Sequence, residues 1–274
     1  MLRAALIALT FAILPTVALA DRSEKLDTLF RALGLPEVLD VMHAEGIDYG
    51  VDMQDQMFPG RGGPSWSAVV EQIYDTSRMS RTVGEALERG LDDDDLDPLL
   101  DFFTSARGER IIGFEVSARE AMVDEAVEEA AEEALTEMRA NEDPRLELIE
   151  EYVAANDLVA SNVMGAMNAN YAFYLGMVDA GALDRSMTES DILADVWAQE
   201  DEIRADTETW VYSYLAMAYQ PLEDADLEAY VALSETEAGR ALNRALFAGF
   251  DEMYVGISRA LGLAAARFMT GEDI

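Results

Sequence analysis

Two stretches of this chain align without a gap at an offset of 131 residues. Leu91 to Gly108 reads LDDDDLDPLLDFFTSARG, and Leu222 to Gly239 reads LEDADLEAYVALSETEAG. Leu91, Asp93, Asp95, Leu96 and Gly108 fall on Leu222, Asp224, Asp226, Leu227 and Gly239. The same offset sets Trp66 on Trp197 and Glu71 on Glu202, in a chain with only three tryptophans. Each stretch pairs a carboxylate-rich opening with apolar residues at helical spacing, which predicts a helix with a capped, acidic N-terminus. Ser105 and Thr236 then each stand three residues before a glycine, in position to cap a following helix. Leu96 and Leu227 are expected in the core.

The helical period extends almost everywhere. Leu26, Leu29, Phe30 and Leu33 form a narrow stripe that ends at Gly34, and Pro36 opens the next helix. Val38, Leu39 and Met42 mark the inner face of that second helix, with His43 on or near it. Pro59-Gly60-Arg61-Gly62-Gly63-Pro64 is a turn: it lacks the preceding strand and the spacing of a phosphate loop. Ser65 is placed to cap a helix carrying Trp66, Val69, Val70 and Ile73. A long acidic helix is expected from about Ala106 to Asn141, with Val127, Ala131, Leu135 and Met138 inward and the glutamates solvated. A connecting helix from Pro144 to about Ala182 has its apolar residues on more than one face and reads as central. Thr188 or Ser190 caps the next helix, which carries Ile192, Val196, Trp197, Ile203, Trp210 and Tyr214 and ends at Pro221. The last helix spaces Leu242, Leu246, Phe250, Met253, Ile257, Leu261, Ala264 and Phe268 as a seam for antiparallel packing, or as a dimer surface. No stretch reads as a strand. The expected fold is therefore an all-α multi-helix bundle of two related helical repeats with long amphipathic helices.

The expected organisation is a signal peptide at 1–20, an N-terminal helical pair at 21–60 and a first helical repeat at 61–143 ending in the long acidic helix. A connecting helix at 144–187, a second helical repeat at 188–268 and a tail at 269–274 complete it. Arg3, the apolar run from Ala4 to Ala18 and the Ala18-Leu19-Ala20 site read as a cleavable leader ending at Ala20. That places the mature protein in the periplasm or outside the cell. No later window is apolar enough for a membrane span.

Charge narrows function. The chain of 274 residues holds 19 Lys+Arg against 55 Asp+Glu, a formal net charge of −36. Such a surface repels nucleic acid and anionic lipid, so neither is expected as a partner. The chain has no cysteine and one histidine, His43. Thiolate chemistry, disulfides and sites needing two histidines are excluded within one chain. A Ser–His–acid triad would have to use His43, and no serine stands in a GxSxG turn. The run Asp92 to Asp95 lacks the alternate spacing and glycine turn of a calcium loop and reads as a helix cap. The sequence thus assigns no catalytic residue, no cofactor-binding residue and no metal ligand, and it implies no cofactor.

The pattern of Leu91 to Glu115, and more fully of Leu222 to Arg244 with its SETEAGRALNRAL, resembles an exported bacterial family of helical domains catalogued as domain of unknown function twenty-fifty-nine. The resemblance implies an all-helical exported protein, in two copies with the C-terminal one clearer. It brings no catalytic residues. The function expected is a non-enzymatic interaction or scaffold module, whose partner is another periplasmic protein or a second copy of itself. A carrier of a small apolar ligand, with the methionines and tyrosines of Pro144 to Ala182 lining its pocket, is the alternative. A hydrolase using two carboxylates is the third reading.

Overall fold

A computed structural model describes residues 15–182 and 188–271. Thirteen α-helices and no strand lie among the described residues. They are α1 (Pro15–Ala32), α2 (Leu35–Met57), α3 (Pro64–Ile73), α4 (Thr76–Gly90), α5 (Asp93–Phe103), α6 (Ala106–Ala121) and α7 (Glu125–Ala140). Then come α8 (Arg145–Ala155), α9 (Leu158–Asp179), α10 (Glu189–Trp197), α11 (Glu200–Tyr219), α12 (Asp224–Ser234) and α13 (Glu237–Thr270). The protein is an all-α multi-helix bundle. Most of the expected leader, residues 1–14, lies outside the described residues, as do 183–187 of the connecting segment and 272–274 of the tail.

The spine of the bundle is α13, 34 residues and about 51 Å long. It runs parallel to α9: Asn243 Nδ2 donates to the Asn156 carbonyl at 2.8 Å, Asn168 Nδ2 to Asp251 Oδ1 at 2.8 Å, and Arg259 Nη2 to Asp179 Oδ2 at 2.7 Å. It runs antiparallel to α4, where Ala245 meets Gly90 and Gly249 meets Val83 and Ala86. The expected seam thus has two neighbours of opposite direction. One hydrophobic cluster reaches from Leu29 in α1 to Phe268 in α13. Leu96 and Leu227 are both buried in it, at 1% and 0% exposure. A smaller cluster of Val163, Met167, Ile192 and Val196 joins α9 to α10.

Three expected helices are broken. The long acidic helix divides into α6 and α7 at Met122 to Asp124. The Asp124 carboxylate caps α7 by accepting from the Ala126 N–H at 2.9 Å, and a capping aspartate competes with helix continuation. The connecting helix divides into α8 and α9 at Asn156-Asp157, where Asp157 takes a left-handed φ of 48°. Buried Asn156 holds that break by donating to the Tyr152 carbonyl at 3.0 Å and to Ser234 Oγ at 3.1 Å. The helix expected from Thr188 to Pro221 divides into α10 and α11 at Ala198-Gln199. One expected cap shifts: Gly63, not Ser65, precedes α3. Helix α8 begins one residue past the expected Pro144. Thr188 rather than Ser190 caps α10, accepting from the Asp191 N–H at 3.3 Å.

The same local devices accompany both matched stretches. Helices α5 and α12 begin and end 131 positions apart. Ser105 Oγ accepts from the Gly108 N–H at 3.1 Å, and Thr236 Oγ1 from the Gly239 N–H at 2.9 Å. Arg22 donates to the Glu88 and Leu91 carbonyls at 2.9 and 2.8 Å and pairs with Asp93. Arg145 donates to the Tyr219 and Leu222 carbonyls at 2.6 and 2.8 Å and pairs with Asp224. Each arginine thereby ties the turn between two helices to the helix beneath. The likeness also reaches the expected N-terminal pair, at a second offset: Arg22 and Arg145, Ala32 and Ala155, Gly34 and Asp157, and Leu35 and Leu158 stand 123 positions apart. The tryptophans do not share an environment. Trp66 is buried and donates to the Gly50 carbonyl at 2.7 Å, whereas Trp197 is 55% exposed.

Glycine is required where backbones touch. A Cβ on Gly239 would stand 2.1 Å from the Leu233 carbonyl oxygen, whereas one on Gly113 meets nothing within 4 Å. Gly239→Ala is therefore expected to destabilise by about 1–3 kcal/mol despite alanine's helix preference. Gly113→Ala is expected to stabilise by about 0.5–1 kcal/mol. Urea unfolding midpoints of the two variants should move in opposite directions.

Candidate functional site

A groove of about 1170 Å³ opens between α11 and α13, with α9 as its third wall. From α9 it takes Asp157, Ser161, Met164, Gly165 and Asn168; from α11, Asp206, Thr207 and Trp210; from α13, Phe247, Phe250, Asp251 and Tyr254. Met42 of α2 and Arg119 of α6 close one side. Small residues on α9 leave the space: a Cβ on Gly165 would meet nothing within 4 Å. Met164 and Tyr254 stay 50% and 39% exposed on its walls, a local apolar surface open to a ligand.

Its polar groups are ordered. The Arg119 guanidinium lies 5.5 Å from the centre of the Trp210 ring and pairs with Glu45. The other partner of Trp210 is Tyr214, stacked at 5.2 Å with only 10° between ring planes. Asn168 and Asp251 bridge α9 and α13 at 2.8 Å. Three carboxylates, Asp157, Asp206 and Asp251, line the groove against one cation, which Glu45 already engages. Met42 and Gly165 stand 123 positions apart, and Arg119 and Phe250 131 apart, the offsets of the matched stretches.

The residues weighed from sequence fall elsewhere. His43 is held by Nδ1, which donates to the Tyr74 carbonyl at 2.8 Å and ties α2 to the end of α3. In the run Asp92 to Asp95, Asp95 Oδ2 accepts from the Asp92 N–H at 2.9 Å and Asp93 is taken by Arg22. Among the described residues no group of three or more His, Asp or Glu is placed to hold a metal ion. Most of the methionine and tyrosine stripe of the connecting segment, the pocket lining of the alternative reading, is core: Val163, Met167, Tyr171 and Tyr174 pack around Ile192 and Val196 of α10, while Met164 lines the groove. The groove uses the neighbouring face of α9. The visible signal for that face was the polar set Asn162, Asn168 and Asn170 in an otherwise apolar helix.

Two carboxylates are drawn into the protein away from the groove. Asp226 is 5% exposed, and Arg110 at 2.6 Å and Arg107 at 2.8 Å hold its carboxyl below the usual range. Glu115, half-buried on α6, has no cation among its described ion-pair partners. Tyr219 donates its hydroxyl to Glu115 Oε1 at 2.6 Å, and Tyr214 donates to the Glu115 carbonyl at 3.0 Å. The rings of Tyr152, Tyr219 and Tyr230 enclose the carboxyl end, with Tyr152 and Tyr230 4.7 Å apart. Burial pushes Glu115 up to about 7, against the opposing hydrogen bonds from Tyr219 and Tyr230. A carboxyl so tuned suits proton transfer. Asp226 is committed to its arginines, so the two do not form the acid and base of a two-carboxylate site.

No known family, characterised protein or solved structure matches this chain.

The raised Glu115 carboxyl links stability to pH. Its folded form holds a proton that the unfolded chain releases near 4.5, so the stabilisation is complete below that value and is lost as pH rises through about 7. Between pH 5 and pH 8 this loss amounts to at most roughly 3 kcal/mol. Glu115→Gln keeps a neutral hydrogen-bonding group. It is expected to melt higher than wild type at pH 8 and to match it near pH 5. Parallel melting curves for the two proteins across that range would refute the assignment.

Proposed function

We propose that this is an exported, non-enzymatic interaction module that receives part of a partner in the groove between α9, α11 and α13. The observation that carries the reading is the groove itself. It is long, open, apolar on its floor and polar at its rim, the form of surface into which proteins take helical or extended segments. Its ordered polar groups bind and position; none is paired as nucleophile and base. The groove's aromatic floor of Trp210, Phe247 and Phe250 also favours a second reading, carriage of a small apolar ligand.

The export proposal rests on Arg3, the apolar run and Ala18-Leu19-Ala20. The remaining helices fit it: no described helix is long and apolar enough to cross a membrane. Duplication is part of the same proposal. The matched arginine ties, matched caps and matched helix ends support it. The likeness of Leu222 to Arg244 to the exported helical family rests on those residues alone.

A photo-crosslinking residue placed at Met164 tests the interaction reading in an extract of the source organism. It is expected to give discrete adducts with a partner protein, while the same residue at exposed Glu129 on α7 gives none. Identical patterns at the two positions, or no adduct at either, would overturn it.

A further inference from the structure

We infer that the segment received by the groove is a cationic amphipathic helix of a partner protein, its apolar side on Met164, Trp210 and Phe250 and its basic side chains against Asp157, Asp206 and Asp251. This rests on the interaction reading and names the chemistry of the partner.

Two features set that chemistry. The first is length. The α9 wall runs from Asp157 to Asn170, a rise of about 20 Å, the length of about 13 helical residues. The second is charge. Three carboxylates line the groove, its one cation is engaged by Glu45 and Trp210, and the whole chain carries −36. A second copy of the same chain would bring like charge to this rim, whereas a basic segment is drawn to it.

The test uses fluorescence anisotropy with the full mature chain and three labelled 14-residue peptides. One places leucine and lysine on opposite faces of a helix. One has the same composition scrambled so that no apolar face forms. One replaces every lysine of the first by glutamate. The basic amphipathic peptide is expected to bind at least tenfold tighter than the scrambled one, and the acidic peptide not at all. Gly165→Trp fills open space without changing charge and is expected to weaken binding tenfold or more. Asp206→Asn is expected to weaken it two- to fivefold, as for an exposed ion pair. Asp157→Asn, which keeps a residue that tolerates the left-handed turn, is expected to weaken it similarly.

Equal binding of the scrambled peptide, or full affinity in Gly165→Trp, would overturn the inference by showing attraction to the surface charge alone. A neutral naphthylamine probe separates the two levels. If that probe fluoresces in wild type and not in Gly165→Trp while the basic peptide fails to bind, the groove takes ligands and the cationic-helix inference is wrong. If neither binds, the groove reading itself falls. Light scattering that shows a dimer lost in Gly165→Trp would replace the partner helix by a second copy.

Discussion

The close approach of α13 to its neighbours is the constraint on which the remaining packing depends. A 34-residue helix can sit inside a bundle only if small residues face the helices that cross it. At Gly262 a Cβ would stand 2.1 Å from the Phe173 carbonyl oxygen, and at Gly176 a Cβ would stand 2.2 Å from that of Arg259. There the backbones of α9 and α13 touch. Ala264, Ala265 and Ala266 continue the small surface and are buried. Such contact gains dispersion from many atom pairs at short range and loses little side-chain entropy. Larger residues then return at the ends, where Phe58, Trp66 and Phe268 interlock with ring centres 4.9 to 5.6 Å apart.

Charge is the second constraint. A chain with 55 acidic and 19 basic residues repels itself, and its scarce cations must be placed well. Arg22 and Arg145 each gather two carbonyls at the junction of two helices together with a carboxylate. That is more than a surface ion pair, because the guanidinium also makes charge-assisted bonds to the backbone. Arg107 and Arg110 neutralise Asp226, the one buried aspartate among the described residues, and Arg119 joins α6 to α2 through Glu45 while covering Trp210. Acid conditions relieve the general repulsion and also keep Glu115 protonated, so both effects favour the folded state in the same direction of pH.

The fold class was legible because burial follows helical period. Leu96, Leu227, Leu242, Met253, Ile257, Leu261 and Phe268 all read as inward and are buried. The breaks at Asp124 and Asp157 were not legible. Both interrupt runs whose apolar period continues. One is decided by a carboxylate reaching a nearby N–H, the other by an asparagine whose partners come from α12 and α13. The groove was hidden for a reason related to the second. Its walls come from helices far apart in sequence, and most of the methionine and tyrosine stripe is the seat of α10. Asn168 became meaningful only once Asp251 stood opposite it.

The proposed duplication offers an origin for the groove. Met42 of α2 is buried, and Glu45 pairs with Arg119, joining α2 to α6. At the 123-residue offset Gly165 stands against Met42 and Asn168 against Glu45. Under the proposal, the ion pair between α2 and α6 is matched by the hydrogen bond from Asn168 to Asp251 between α9 and α13, and the methionine side chain by open space beside Gly165. An open wall forfeits dispersion. What it leaves is an apolar trough that Asp157, Asp206 and Asp251 also line, the surface on which the proposed interaction rests.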